Sequence, residues 1–188
     1  MAKIPDRPVS AEEMEAARAE RAAHRAELLE ETGAASLIQF TVVAPGPNKR
    51  APAFRRLFVS GRRAVIEAFL SSNIVPLKID VLEKVTVNEL YLAMFLPPLE
   101  VKRRMAEIEE VLPFGRLLNI DVYDGEGNHV PRTAIGLPER CCLVCGRPGT
   151  ECARTRAHAP EEVREIIGRI LEESALVFPD SEDDDLYE

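Results

Sequence analysis

Apolar positions recur along this chain in two rhythms, and the points where one gives way to the other divide it into elements. Between residues 53 and 71, Phe54, Leu57, Phe58, Val65, Ile66 and Phe69 keep to the spacing of one helical face. The same spacing predicts a helix over 99–111 with Val101, Met105 and Ile108 inward, opened by Pro97-Pro98. It also predicts a final helix near 160–175 through Val163, Ile166, Ile167, Ile170 and Leu171. Residues 10–31 read as a helix with a thin apolar face, where Met14, Ala17, Ala22, Leu28 and Leu29 mix with Arg18 and Arg21. Ser10 and Glu13 are spaced as a capping box, and Gly33 supplies a stop.

The other rhythm is that of strands. Residues 36–43 (Ser-Leu-Ile-Gln-Phe-Thr-Val-Val) are rich in β-branched and aromatic side chains with partial alternation. Residues 75–82, 89–96 and 117–123 read as three further strands. Asp124-Gly125-Glu126-Gly127-Asn128 is hairpin-like, and residues 129–135 are expected to return as the partner strand. No repeat is present. The order of elements predicts a single-domain α+β fold: a mixed β-sheet flanked by helices, with a Cys-rich loop and a C-terminal helix.

Charge narrows the function. The net charge is −8, but residues 180–188 hold six acids and no base, so removing them leaves only −2. That end is read as a disordered acidic tail behind one domain over 1–179. An acidic chain without a basic footprint argues against nucleic-acid binding. No apolar run approaches the roughly 20 residues that span a bilayer, and the first residues lack an apolar signal core, so a cytoplasmic protein is expected.

Four segments hold candidate chemistry. Strand 36–43 runs into Ala44-Pro45-Gly46-Pro47-Asn48-Lys49, a shaped loop whose amides and single cation suit a phosphate, although such strand-end loops are also common as plain connections. In Gly115-Arg116-Leu117-Leu118-Asn119-Ile120-Asp121, alternation puts Asn119 and Asp121 on one face. Two oxygen-bearing side chains there suit Mg²⁺ shared with a polyphosphate, and equally a polar edge-strand face. Cys142, Cys145, Cys152 and His158 have the composition of a Cys₃His zinc site, or of a loop with reduced thiols, and Cys141 is left over. Arg132, Arg140, Arg147, Arg154 and Arg156 form a local basic concentration suited to phosphate oxygens. His24 and His129 show no evident partners and are read as surface residues.

Taken together, these segments resemble the apo-citrate lyase phosphoribosyl-dephospho-CoA transferase family. The resemblance rests on Phe40-Thr-Val-Val-Ala-Pro-Gly-Pro47 with Lys49, Gly115-Arg-Leu117, Ile120-Asp-Val122, and Arg140 with Cys142, Leu143, Cys145, Cys152, Ala153, Arg154 and His158. The Arg18-Ala-Glu-Arg21 stretch is similar to an early charged region of the family. It implies that a serine of the apo acyl carrier subunit of citrate lyase attacks the α-phosphate of triphosphoribosyl-dephospho-CoA, with pyrophosphate leaving. On that basis Lys49, the Pro45-Gly46-Pro47 loop, Arg116 and one or more of Arg132, Arg154 and Arg156 are expected at the phosphates. Asp121, beside Asn119, is expected to ligate Mg²⁺ or to orient the serine. Arg18, Arg21 and Arg25 are offered to the carrier. Two positions depart from the family pattern: Asn119 where Asp is usual, and Leu112-Pro113-Phe114-Gly115 where His-Pro-Leu-Gly is common. Two alternatives stand beside this reading, a related synthase acting on the carrier of malonate decarboxylase and a non-catalytic, zinc-stapled nucleotide-binding module.

Overall fold

The computed structural model describes residues 7–175, so the expected acidic tail lies outside the described residues. Helix α1 (Ala11–Thr32) starts as its sequence demands. Ser10 Oγ accepts from the Glu13 amide at 3.1 Å, the Glu13 carboxylate accepts from the Ser10 amide at 2.8 Å, and Gly33 ends the helix at φ 61°. Strand β1 (Ser36–Val42) follows, then α2 (Pro52–Leu70), whose first residue is a proline preset for a helix start. Strands β2 (Lys78–Leu82) and β3 (Glu89–Met94), helix α3 (Pro98–Val111), strand β4 (Leu118–Asp124), and helices α4 (Gly149–Thr155) and α5 (Pro160–Ala175) complete the order.

The strands form one sheet in the order β2-β3-β1-β4. Strand β1 pairs antiparallel with both β3 and β4, and β2 pairs antiparallel with β3. Each helix-linked pair, β1-α2-β2 and β3-α3-β4, is therefore parallel with another strand inserted between its members. Two such interleaved split βαβ units make the ferredoxin-like arrangement. The α+β expectation holds, whereas the expected mixed sheet is antiparallel at every pairing, because no helix-linked strands sit side by side.

Alternation gives the sheet two different faces. Ile38, Phe40, Leu90, Leu92, Ile120 and Val122 point one way and join Leu57, Phe58, Val65 and Phe69 of α2 and Val101 and Met105 of α3 in the main core. Ile167 of α5 is part of that cluster. Gly61 brings α2 close to the sheet: a Cβ there would lie 2.5 Å from Phe40 Cζ. The opposite face is smaller and half polar. Leu28 and Leu29 of α1 cover Leu37, Tyr91 and Ala93, beyond which Gln39, Thr41, Asn119 and Asp121 share the surface.

Three expectations change in detail. Strand β2 begins at Lys78 rather than residue 75, since Pro76 has no amide to offer a ladder. The return strand over 129–135 reduces to a bridge between Tyr123 and His129, then a 3-10 turn over Arg132–Ile135, because Pro131 interrupts the pairing. The Cys-rich loop contains the short helix α4.

Candidate functional site

On the α1 face, near the end of β1, the polar row does not meet the helix above it. The gap is a cavity of about 230 Å³ lined by Met14 and Arg21 of α1, Gln39, Thr41 and Val42 of β1, Ala44, Lys49, Thr86 and Val87 of loops, and Asn119 and Asp121 of β4. The strand register explains the floor: Gln39 lies opposite Asp121 and Thr41 opposite Asn119, so four polar residues converge from two neighbouring strands.

Each of the cavity's charges is held. Arg21 makes a 3.1 Å ion pair with Glu89, whose side chain is fully buried and also accepts the Tyr91 hydroxyl at 2.8 Å. Lys49 donates to the Ala44 carbonyl at 2.5 Å, and its half-buried position lowers the pKa of the ammonium. Asn119 Nδ2 donates to Asp121 Oδ2 at 3.0 Å and to Thr41 Oγ1 at 3.3 Å. Asp121 Oδ1 lies 3.3 Å from His129 Nε2. Burial alone would raise the Asp121 pKa, but the His129 contact, Lys102 and the Asn119 amide outweigh it and hold the carboxyl below its ordinary range. Thr86 Oγ1 is the exception. Among the described residues it is the one buried side-chain polar atom without a partner, on a residue that lines this cavity.

The structure thus gathers Lys49, Asn119 and Asp121 and leaves other expected residues elsewhere. The loop of Pro45, Gly46 and Pro47 adjoins Ala44 at the cavity's edge, where Gly46 takes φ 79° and the Pro47 carbonyl accepts the Val9 amide at 2.9 Å. Arg116 donates to the carbonyls of Cys142 and Leu143, both at 3.2 Å. Arg132 lies on the α3 side of the sheet and spends its nitrogens on Glu109, Glu110 and the Pro138 carbonyl. Arg140 also reaches that side, to Glu109, and donates to the Leu118 carbonyl at 2.6 Å. Arg154 and Arg156 are exposed on and just after α4. His129 and His24 are not the partnerless residues expected, since His24 Nε2 lies 2.9 Å from Asp80 Oδ2. Both pairings join residues distant in sequence or across a turn, which linear spacing does not reveal. Gln39 and Thr41 had a usable signal, their place on the same strand face.

A second cluster lies apart from the cavity. Ligand atoms of Cys142, Cys145, Cys152 and His158 all fall within 4.8 Å of one another, a group that can hold a metal ion. Cys145 Sγ is 3.5 Å from Cys152 Sγ and 3.2 Å from His158 Nε2. His158 Nδ1 lies 3.5 Å from Glu162, the outer carboxylate that commonly orients a ligating imidazole. The Arg147 guanidinium, hydrogen-bonded to Cys145, pulls that thiol down to about 6, toward the thiolate that binds metal.

The fold and these two clusters define a ferredoxin-like α+β domain with a cation-lined polar cavity and a separate Cys₃His group. Among the described residues, no helix is long and apolar enough to cross a membrane. The family model for apo-citrate lyase phosphoribosyl-dephospho-CoA transferase matches residues 9–174, and the chain belongs to that family. A probable apo-citrate lyase phosphoribosyl-dephospho-CoA transferase of Streptococcus pyogenes serotype M18 is 34% identical over 158 residues, 82% of this chain and 81% of that protein. The apo-citrate lyase phosphoribosyl-dephospho-CoA transferase of Citrobacter koseri is 37% identical over 123 residues, 65% of this chain and 67% of its own. Protein CitXG of Haemophilus influenzae is 32% identical over 86% of this chain, which spans 34% of that longer protein. The chain is accordingly a transferase.

Proposed function

We propose that this chain transfers the phosphoribosyl-dephospho-CoA group from triphosphoribosyl-dephospho-CoA to a serine of the apo acyl carrier subunit of citrate lyase. The observation that carries the reading is the cavity, where Arg21 and Lys49 share the lining with Asp121, whose Oδ1 lies 3.3 Å from His129 Nε2. A triphosphate seated there meets two cations, and neutralising its charge is the main protein contribution to phosphoryl transfer. At about 230 Å³ the cavity suits the phosphates alone, so the nucleotide remainder lies outside it.

His129 takes the proton of the attacking serine. Asp121 holds its Nε2 and so favours the tautomer whose Nδ1 accepts a proton. The serine oxygen bonds to the α-phosphorus, the bond from that phosphorus to the leaving oxygen breaks, and pyrophosphate departs past Lys49 and Arg21. Asp121 orients in this scheme rather than ligating a metal, because both of its oxygens already face nitrogen groups. Mg²⁺ then comes as the counter-ion of the triphosphate. The thiol-rich Cys142, Cys145, Cys152 and His158 set suits Zn²⁺, whose tetrahedron has donor–donor edges of roughly 3.3–3.8 Å. Such a closed four-ligand site is structural. The four free cysteines fit a reducing cytoplasm. A malonate decarboxylase carrier and a non-catalytic module draw no support from the family or from the relatives' names.

The test mixes the protein with triphosphoribosyl-dephospho-CoA, Mg²⁺ and purified apo carrier and reads the carrier's intact mass. Wild type should add one prosthetic group, and His129→Gln should slow that addition about 10²-fold or more. No mass gain with wild type would refute the transfer, and an unchanged rate in His129→Gln would remove His129 from it.

A further inference from the structure

Strand β4 ends the sheet in the order β2-β3-β1-β4, so one of its edges faces away from β1. The Val43 amide donates to the Leu117 carbonyl at 2.8 Å. Alternation along the antiparallel pair then turns the peptide groups of Asn119 and Asp121 toward β1, and those of Leu118, Ile120 and Val122 toward the open edge. All three outward carbonyls are taken, each by a different segment. Arg140 of the Cys-rich loop donates to Leu118 at 2.6 Å, Lys102 of α3 to Ile120 at 3.4 Å, and the Val130 amide to Val122 at 2.8 Å. The Ile120 backbone also hydrogen-bonds the Glu109 carboxylate, which accepts Arg132 at 2.8 Å and Arg140 at 3.4 Å.

Covering an edge does not by itself require this. Water satisfies a carbonyl at an open edge, whereas Lys102 is 4% and Glu109 7% exposed, and burying such charges is costly. What the three carbonyls share is their place. They alternate with Asn119 and Asp121, whose side chains line the cavity from the same stretch of β4. Val130 adjoins His129, so the third bond holds the partner of Asp121 as well. Arg140 reaches further back along the chain, to the Arg116 carbonyl at 3.0 Å, and its own carbonyl accepts the Gly149 amide at 2.8 Å. Lys102 also acts through its charge: burial pushes the Asp121 carboxyl up, and His129, then Lys102, bring it down.

We propose that Arg140 and Lys102 are positioning residues for the transfer: by holding the Leu118 and Ile120 carbonyls they fix the stretch of β4 that carries Asn119 and Asp121 into the cavity. The role rests on the transfer reaction proposed above. Neither side chain needs to touch substrate, and a small displacement of a reacting group costs rate rather than affinity.

The test measures transfer kinetics with carrier and triphosphoribosyl-dephospho-CoA varied separately, in wild type, Arg140→Gln, Arg140→Lys and Lys102→Met. Circular dichroism and thermal melts report folding. The expected result for Arg140→Gln and Lys102→Met is a kcat lowered about tenfold or more, with both KM values within about twofold of wild type. Arg140→Lys keeps one donor for Leu118 and should recover part of the kcat; it carries the test if Arg140→Gln does not fold. In an Asp121→Asn background, Arg140→Gln should lower kcat by no more than about twofold further, because it acts through that strand. A full tenfold drop in that background would give Arg140 an independent role and overturn the proposal. So would a raised nucleotide KM with kcat unchanged, which would place Arg140 at the phosphates. A lower melting temperature with kcat unchanged in both Arg140→Gln and Lys102→Met would leave the edge bonds to stability alone, with the transfer reaction still standing. Wild type that transfers nothing removes the reaction and the positioning role together.

Discussion

Glu89 is where the cavity's geometry and the protein's stability meet. Its side chain has no solvent exposure, its two oxygens take the Arg21 guanidinium at 3.1 Å and the Tyr91 hydroxyl at 2.8 Å, and Lys84 Nζ lies 3.7 Å away. Arg21's side chain is itself only 12% exposed. Glu89→Ala leaves an almost buried cation without its counter-charge and a buried tyrosine hydroxyl without its acceptor. Removing one member of such a pair costs about 3–5 kcal/mol. Against a typical total stability of about 5–15 kcal/mol that is a large share. For a chain of this length it corresponds to a melting temperature lower by roughly 6–20 °C. Arg21→Met/Glu89→Leu removes both charges together and should recover most of that loss, since an apolar replacement of a buried pair is often neutral. The double variant should nonetheless fail in transfer, because the cavity has lost a cation. Urea unfolding of the two single variants and the double gives the coupling energy directly. A Glu89→Ala loss below about 1 kcal/mol, or a double variant as unstable as the two singles added, would show that the pair does not hold the site as argued.

Two further outcomes follow from the geometry. A Cβ at Gly115 would run into the Glu109 carbonyl group, 2.7 Å from its carbon and 3.0 Å from Cα, where backbone cannot yield. Gly115→Ala should therefore cost about 1–3 kcal/mol, whereas Gly168→Ala, with nothing within 4 Å, should gain about 0.5–1 kcal/mol as a helix-interior change; thermal melts of the pair compare them. Purified wild type should carry about one zinc per chain by elemental analysis and Cys145→Ser about a tenth or less, with a lower melting temperature, while metal-free wild type would dismiss the zinc assignment.

The element pattern was largely legible because each piece states its own rhythm. Ser10 with Glu13, the Leu57–Phe58–Val65–Phe69 stripe and the alternation through Asn119 and Asp121 all reappear as local structure. The sheet's direction was not legible, because it depends on which strands neighbour one another, and β1 pairs with β3 and β4 from far along the chain. The site divided along the same line. Lys49, Asn119 and Asp121 came from short motifs that fold locally, while Arg21, Thr86 and His129 are supplied by other segments. The arginine concentration misled because clustering in sequence does not show where guanidinium groups point. Arg132 and Arg140 satisfy Glu109 and carbonyl groups on the α3 side of the sheet. The spacing of Cys142, Cys145, Cys152 and His158 survived because a short loop and one helical turn are enough to close it.

The place of β1 has a consequence for synthesis. It is buried along its whole length and lies between β3 and β4, yet it is made first of the four strands. The last residue of β4 follows the last residue of β1 by about 80 positions, which at about 5–20 residues per second is roughly 4–16 s of translation. Throughout that interval Ser-Leu-Ile-Gln-Phe-Thr-Val has at least one unpaired edge, and it is rich in the side chains that drive strand aggregation. Its neighbours are suited to the wait. A capped helix of 22 residues precedes it and can form without it, and Pro45, Pro47 and the run of positive charges into α2 follow it. That charge run repels other copies of the nascent chain and so keeps its most vulnerable strand apart from them.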